Sequence, residues 1–152
     1  DFCLTNFIRR GGYMEKILVA HDGSKSSDKA LKKAVEMALS LNSSLTVLSV
    51  VPELYLTELS GPDRNRIFEA LTKETTDAME KIRKSLSGKS MEVKTLIRQG
   101  DPAEKILETA QKMKADLIVT GSHGKHGTKK FLLGSVSGKI VDYSKCPVMV
   151  VK

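Results

Sequence analysis

Asp116-Leu117-Ile118-Val119-Thr120 runs directly into Gly121-Ser122-His123-Gly124, and after nine further residues comes Gly134-Ser135, opening the helix-like stretch 136–143. A short apolar run rich in β-branched residues predicts a strand, so the glycines fall in a loop at its carboxyl end, and Gly134-Ser135 falls at a helix start. Glycine lets backbone approach an anion closely, and the free N–H groups and positive dipole end of a helix attract negative charge. A phosphorylated ligand suits such a site. The spacing matches neither the P-loop nor the compact dinucleotide fingerprint. On spacing alone a second reading stands beside the first: glycines that only make turns, with Ser135 capping the last helix and nothing bound.

Working outward, the rest of the chain supplies a scaffold. Lys16-Ile17-Leu18-Val19-Ala20 predicts a first strand, followed by Asp22-Gly23-Ser24 as a turn and by Ala30, Leu31, Ala34, Val35, Ala38, Leu39 and Leu41 at helical spacing. Residues 45–51 read as a strand and 52–62 as a loop. Residues 64–86 read as a long amphipathic helix burying Ile67, Leu71, Met79, Ile82 and Leu86, and 91–97 as an alternating strand. Asp101-Pro102-Ala103-Glu104 carries a helix start, with Asp101 as N-cap, Pro102 at the first helical position and Glu104 three residues after the cap. Residues 116–120 and 147–151 complete five strands. Strands alternating with helices predict a doubly wound α/β fold, a single five-stranded parallel sheet with helices on both faces. In a flavodoxin-like order 3-2-1-4-5, Asp22 and Gly121 both lie at strand carboxyl ends and face one crevice near the topological switch.

Three segments together resemble the universal stress protein family, specifically its ATP-binding branch. They are Ile17-Leu18-Val19-Ala20-His21-Asp22-Gly23-Ser24 with Ser27, Ala30 and Leu31, the Gly100-Asp101-Pro102 step, and the G-x-x-G, nine residues, G-[ST] signature at Gly121, Gly124, Gly134 and Ser135. The likeness runs from about Met14 to Lys152, leaving 1–13 as an N-terminal extension and 14–152 as the domain. It implies an ATP site, with Asp22 and the backbone near Ala20 and His21 at the adenosine end and Val50 beside the base. Thr120, Gly121, Ser122, His123, Gly124, Gly134, Ser135, Val136 and Ser137 are implied around the ribose and phosphates, the Ser137 hydroxyl bonding phosphate. It also implies a homodimer formed by antiparallel pairing of the last strands.

The residues taken singly leave alternatives open. Asp22 accepts hydrogen bonds from a ribose hydroxyl or an adenine amino group in one reading and stabilises the first turn in the other. Val50 packs on a base or belongs to the sheet core. His123 donates to phosphate or faces solvent, and Lys125, Lys129 and Lys130 surround a triphosphate or form a solvated face. Loop 122–133 contains no Asp or Glu, so Mg²⁺ is expected to be held mainly through ATP oxygens and water, with no protein metal ligand and no catalytic residue. That favours a nucleotide-dependent regulatory protein over a slow ATPase or another nucleotide-processing enzyme.

Composition narrows the field further. A chain of 152 residues with four Phe, three Tyr and no Trp builds one domain with an aliphatic core. A flavin-binding redox protein lacks its flanking aromatics here, and a phospho-acceptor receiver lacks its acidic pair after the first strand. The net charge of +7 raises nucleic-acid binding, yet the basic residues are interspersed with acidic ones along helices, so only weak, salt-sensitive contact is expected, with no specific nucleic-acid partner. Cys3 and Cys146 form no metal or disulfide pattern, and Cys146 reads as a buried small hydrophobe. No membrane span and no secretion signal are predicted, which sets the cytoplasm as the expected compartment and leaves the signalling partner unspecified.

Overall fold

The computed structural model describes residues 13–53, 61–124 and 133–152. Five strands, β1 (Lys16–Ala20), β2 (Ser44–Val51), β3 (Val93–Gln99), β4 (Leu117–Gly121) and β5 (Val148–Val151), alternate with four helices, α1 (Lys25–Leu41), α2 (Gly61–Leu86), α3 (Pro102–Met113) and α4 (Ser135–Tyr143). All strand pairs are parallel, in the order β3-β2-β1-β4-β5. This is the doubly wound, flavodoxin-like sheet that the sequence predicts.

The sheet is buried on both sides because each crossover lays a helix over it. Successive residues of β1 point to opposite faces. Ile17 and Val19 join Leu45, Val47, Leu117 and Val119 beneath Ala30, Ala34 and Ala38 of α1 and Met79 and Leu86 of α2. Leu18 and Ala20 join Leu48 and Ile118 on the other face, beneath Ala103, Ile106 and Ala110 of α3 and Ile140 of α4. The three alanines of α1 let that helix lie close to the central strands, which brings its amino end to the carboxyl end of β1. Cys146 is half-buried against the second of these clusters.

Several boundaries move. Helix α1 begins at Lys25, ahead of the apolar period, because Ser24 caps it by accepting from Ser27 N at 3.1 Å. The predicted strand at 91–97 shifts to Val93–Gln99, since pairing with β2 runs from Leu45↔Val93 to Val51↔Gln99. Pro62, placed in a loop by sequence, sits in the first turn of α2, where a missing N–H costs nothing. Ile67, expected on the buried side, is 42% exposed. At 26 residues α2 is about 39 Å long, whereas the seven residues of β3 reach only about 23 Å, so the amino-terminal half of the helix overhangs the sheet. Residues 1–12, 54–60 and 125–132 lie outside the described residues, and with them Cys3, Lys125, Lys129, Lys130 and most of the predicted extension.

The start of α3 follows its sequence reading closely. Asp101 accepts from Glu104 N at 2.9 Å, and Pro102 occupies the first turn. The hydrogen bond from Glu104 N holds the Asp101 carboxyl below its ordinary value of 3.8, helped by Lys139 3.5 Å away. Replacing Asp101 with alanine is expected to cost about 1 kcal/mol at neutral pH. Because the folded-state pKa is depressed, this contribution is present above the unfolded value and is lost as pH falls through the folded one. Denaturant titrations of wild type and Asp101→Ala should therefore differ at pH 7 and converge below pH 3.8.

Candidate functional site

The carboxyl ends of β1 and β4 lie side by side at the centre of the sheet, and the chain leaving each builds one wall of a crevice. On the β1 side, Ala20 and His21 are buried, and His21 N donates to Leu48 O at 2.9 Å. Asp22 then closes a tight turn, its Oδ1 accepting from Ser24 N at 3.0 Å, and Gly23 takes a φ of +78° that an L side chain rarely adopts. Burial pushes the Asp22 carboxyl up, but the Ser24 hydroxyl and backbone N–H, the Ser27 hydroxyl and the neighbouring His21 outweigh it, leaving the group below its ordinary 3.8. Asp22 is thus anionic at neutral pH and open to solvent.

On the β4 side, Thr120 and Ser122 are buried, and Gly121 ends the strand. A Cβ at Gly121 would come within 2.7 Å of the Ser26 backbone carbon and 2.6 Å of its hydroxyl, so only glycine lets β4 and α1 approach this closely. Ser122 organises the loop. Its N–H donates to Val151 O at 2.9 Å, its hydroxyl lies 2.9 Å from His123 Nδ1 and 3.4 Å from Ser26 Oγ, and its carbonyl accepts from Gly134 N at 2.8 Å and Ser137 Oγ at 3.1 Å. The last two bonds close the loop, holding its two ends together across residues 125–132. Ser24 Oγ donates to His123 O at 3.4 Å and so joins the two walls. A Cβ at Gly124 would lie 2.9 Å from Asp22 Oδ2, which places the two sequence motifs in contact.

Helix α4 begins one residue earlier than its apolar pattern indicates. Gly134, not Ser135, is the N-cap, and among the described residues no side chain caps the helix. The first intrahelical bond runs from Gly138 N to Gly134 O, so the N–H groups of Ser135, Val136 and Ser137 precede the hydrogen-bonded ladder. Ser135 is exposed and cannot act as the cap that the turn-only reading assigns it. Among the described residues, the crevice therefore holds a helix amino end without an internal acceptor, flanked by glycines and by the Asp22 carboxylate.

Two of the residues that the resemblance names also have partners within the protein. Ser137 is buried and spends its hydroxyl hydrogen on the carbonyls of Ser122 and Gly134, so it ties loop to helix. Val50 is half-buried against the Leu18 face of the core, at the carboxyl end of β2. Sequence reasoning missed the hydroxyl of Ser26 and the hydrogen bond between His21 Nε2 and Asp28 Oδ1 at 2.8 Å. Both depend on α1 starting at Lys25, which the apolar period beginning at Ala30 does not disclose.

A family model, the universal stress protein family, matches residues 14–152. The chain belongs to this family. It is 35% identical to Universal stress protein MJ0531 of Methanocaldococcus jannaschii over 99% of this chain and 90% of that protein. Among solved structures, universal stress protein UspA from Lactobacillus plantarum superposes with a TM-score of 0.83 at 27% identity, covering 92% of this chain and 99% of its own. A universal stress protein crystallised in complex with cAMP superposes with a TM-score of 0.58 at 26% identity, covering 91% and 97%. No helix among the described residues is long and apolar enough to cross a membrane.

Proposed function

We propose that this universal stress protein binds ATP in the crevice between β1 and β4 and acts as a nucleotide-dependent regulatory protein of the stress response. The observation that carries the reading is the uncapped amino end of α4, held against the Gly121–Gly124 loop by the bond from Gly134 N to Ser122 O. Three N–H groups with no acceptor among the described residues, a positive dipole end and room left by glycine suit an anion. Ala20, His21 and Asp22 then take the adenosine, Asp22 accepting from a ribose hydroxyl or the adenine amino group, and Val50 borders the base. Thr120, Gly121, Ser122, His123, Gly124, Gly134, Ser135, Val136 and Ser137 surround the ribose and phosphates. The universal stress protein in complex with cAMP supports a nucleotide of this general kind. Mg²⁺ fits as a companion of the phosphates, because Asp22, the one carboxylate at the crevice among the described residues, already accepts from Ser24 N. Mass spectrometry of small molecules released on denaturing the purified protein tests the ligand class: ATP or ADP is expected, and a flavin or a nicotinamide nucleotide would replace the reading.

Folding favours a second, enzymatic reading on one point only. Loop 122–133 has no acid of its own, yet Asp22 Oδ2 reaches Gly124. A single solvated carboxylate with a depressed pKa is a poor general base at neutral pH. Hydrolysis without a partner is therefore expected to lie far below the typical enzyme rate of about 10 per second, and a phosphate-release assay showing turnover at that level would make the protein an enzyme. We also infer a cytoplasmic homodimer paired through β5, since that strand is an edge of the sheet among the described residues.

A further inference from the structure

Along β1 the side chains alternate between the two faces of the sheet, Ile17 and Val19 toward α1 and α2, Leu18 and Ala20 toward α3 and α4. His21 continues the alternation and turns its ring to α1, where Nε2 lies 2.8 Å from Asp28 Oδ1. A carboxylate only accepts, so Nε2 carries the hydrogen and donates. The main chain of the same residue donates to Leu48 O at 2.9 Å. His21 is thus held at two points, to β2 by its backbone and to α1 by its ring, directly between Ala20 and Asp22.

Asp28 has another account, as an acid in the first turn of α1 that suits the helix dipole. The dipole favours charge there but sets no direction for the side chain. Nor does Asp28 complete a capping box. With Ser24 as N-cap, the reciprocal acid would stand three residues on, where the chain has Ser27, and Ser24 N is taken by Asp22 Oδ1. The Asp28 carboxylate instead reaches across to the exit of β1. Its side chain is 67% exposed while His21 is 7% exposed, so it is the buried ring N–H that would lose most if the acceptor were removed.

We propose that Asp28 is a positioning residue for the nucleotide site, acting through the His21 ring to hold the 20–22 segment in place for adenosine. This role rests on ATP binding in the crevice. Without its acceptor the ring turns toward water, and the main chain that carries Ala20 and Asp22 moves with it, so the groups facing adenosine lose their fixed spacing. Charge alone gives the opposite sign. ATP is an anion, and removing an acid beside its site strengthens binding by long-range electrostatics, whereas loss of a positioning hydrogen bond weakens it.

The test uses the full chain and has two readouts. On the unliganded protein at about pH 8, where an ordinary imidazole is neutral, long-range proton–nitrogen spectra should show the His21 ring, identified as the signal missing from His21→Gln, with its hydrogen on Nε2. In Asp28→Ala the ring should populate both tautomers. By calorimetry Asp28→Ala should bind ATP about fivefold or more weakly. Asp28→Asn keeps an oxygen acceptor and should come within about twofold of wild type, and Glu36→Ala, which removes an acid about two turns further along α1, should bind at least as tightly as wild type. If Asp28→Ala fails to fold by circular dichroism, Asp28→Ser, whose hydroxyl is too short to reach the ring, answers the same question. The proposal is overturned by hydrogen on Nδ1 in wild type, by a ring signature that loss of the carboxylate leaves unchanged, by equal or tighter ATP binding in the folded Asp28→Ala, by an Asp28→Asn that binds as weakly as Asp28→Ala, or by an equal loss in Glu36→Ala. A wild-type protein that keeps the Nε2 signature but binds no ATP overturns the nucleotide reading itself, and this role with it.

Discussion

Replacing Gly124 and Gly134 together by valine is expected to abolish ATP binding while leaving the far-ultraviolet circular dichroism unchanged. The two glycines are the right targets because their surroundings differ from those of Gly121. A side chain at Gly121 would drive into the Ser26 backbone and threaten the packing of α1 on β4. At Gly134 a Cβ meets Ser122 O and Ser137 Oγ at 3.4 Å, an ordinary contact, and at Gly124 it meets only the far end of the Asp22 side chain at 2.9 Å. Gly134 has a φ of −62°, which valine tolerates. The fold therefore survives, but branched side chains fill the space in front of the α4 amino end and push Asp22 aside. Calorimetry should show no heat of binding for the folded double variant, and unchanged affinity would move the phosphates elsewhere.

The legible parts of this protein are those in which local chemistry and global fold agree. Five short apolar runs alternating with amphipathic stretches carry the parallel sheet, and Asp101-Pro102 carries a helix start whose cap bond is present at 2.9 Å. Placing Asp22 and Gly121 at neighbouring strand ends required only the order 3-2-1-4-5, which the structure has. What stayed hidden depends on partners distant in sequence. The register of β3 is fixed by β2, and the exposure of Ile67 follows from a helix longer than the strand beneath it. The cross-loop bonds of Ser24 to His123, Ser26 to Ser122 and Ser137 to Ser122 join residues that no periodicity relates. Serine is common in turns and caps, so its role as a brace between two loops shows only in the folded chain. The cap of α4, which the turn-only reading gives to Ser135, is settled in a related way. Glycine and serine are both accepted N-caps, and the choice between Gly134 and Ser135 was made by the bond from Gly134 N to Ser122 O across the loop.

Val150→Pro is expected to convert the proposed homodimer to monomer without emptying the ATP site. Val150 pairs in register with Thr120, but by the alternation of strand groups its own N–H points away from β4. Proline there leaves the sheet's internal hydrogen bonds in place and removes a donor only from the outer edge, where its ring also obstructs an incoming strand. The link to the nucleotide site is made one residue on, where Val151 O accepts from Ser122 N at 2.9 Å and from Ser26 Oγ at 3.4 Å. That carbonyl is untouched by the substitution, so the loop keeps its anchor and ATP affinity should stay within about twofold, less than about 0.5 kcal/mol, as for a change that leaves the site's own contacts intact. Light scattering should give a mass near twice 16.7 kDa for wild type and near 16.7 kDa for the variant. A wild-type protein that is monomeric at high concentration excludes the dimer, and a Val150→Pro protein that stays dimeric places the contact on another surface. A monomer that also loses ATP would show that strand pairing at β5 and the Ser122 loop form one cooperative unit, since Val151 is the residue both would have to share.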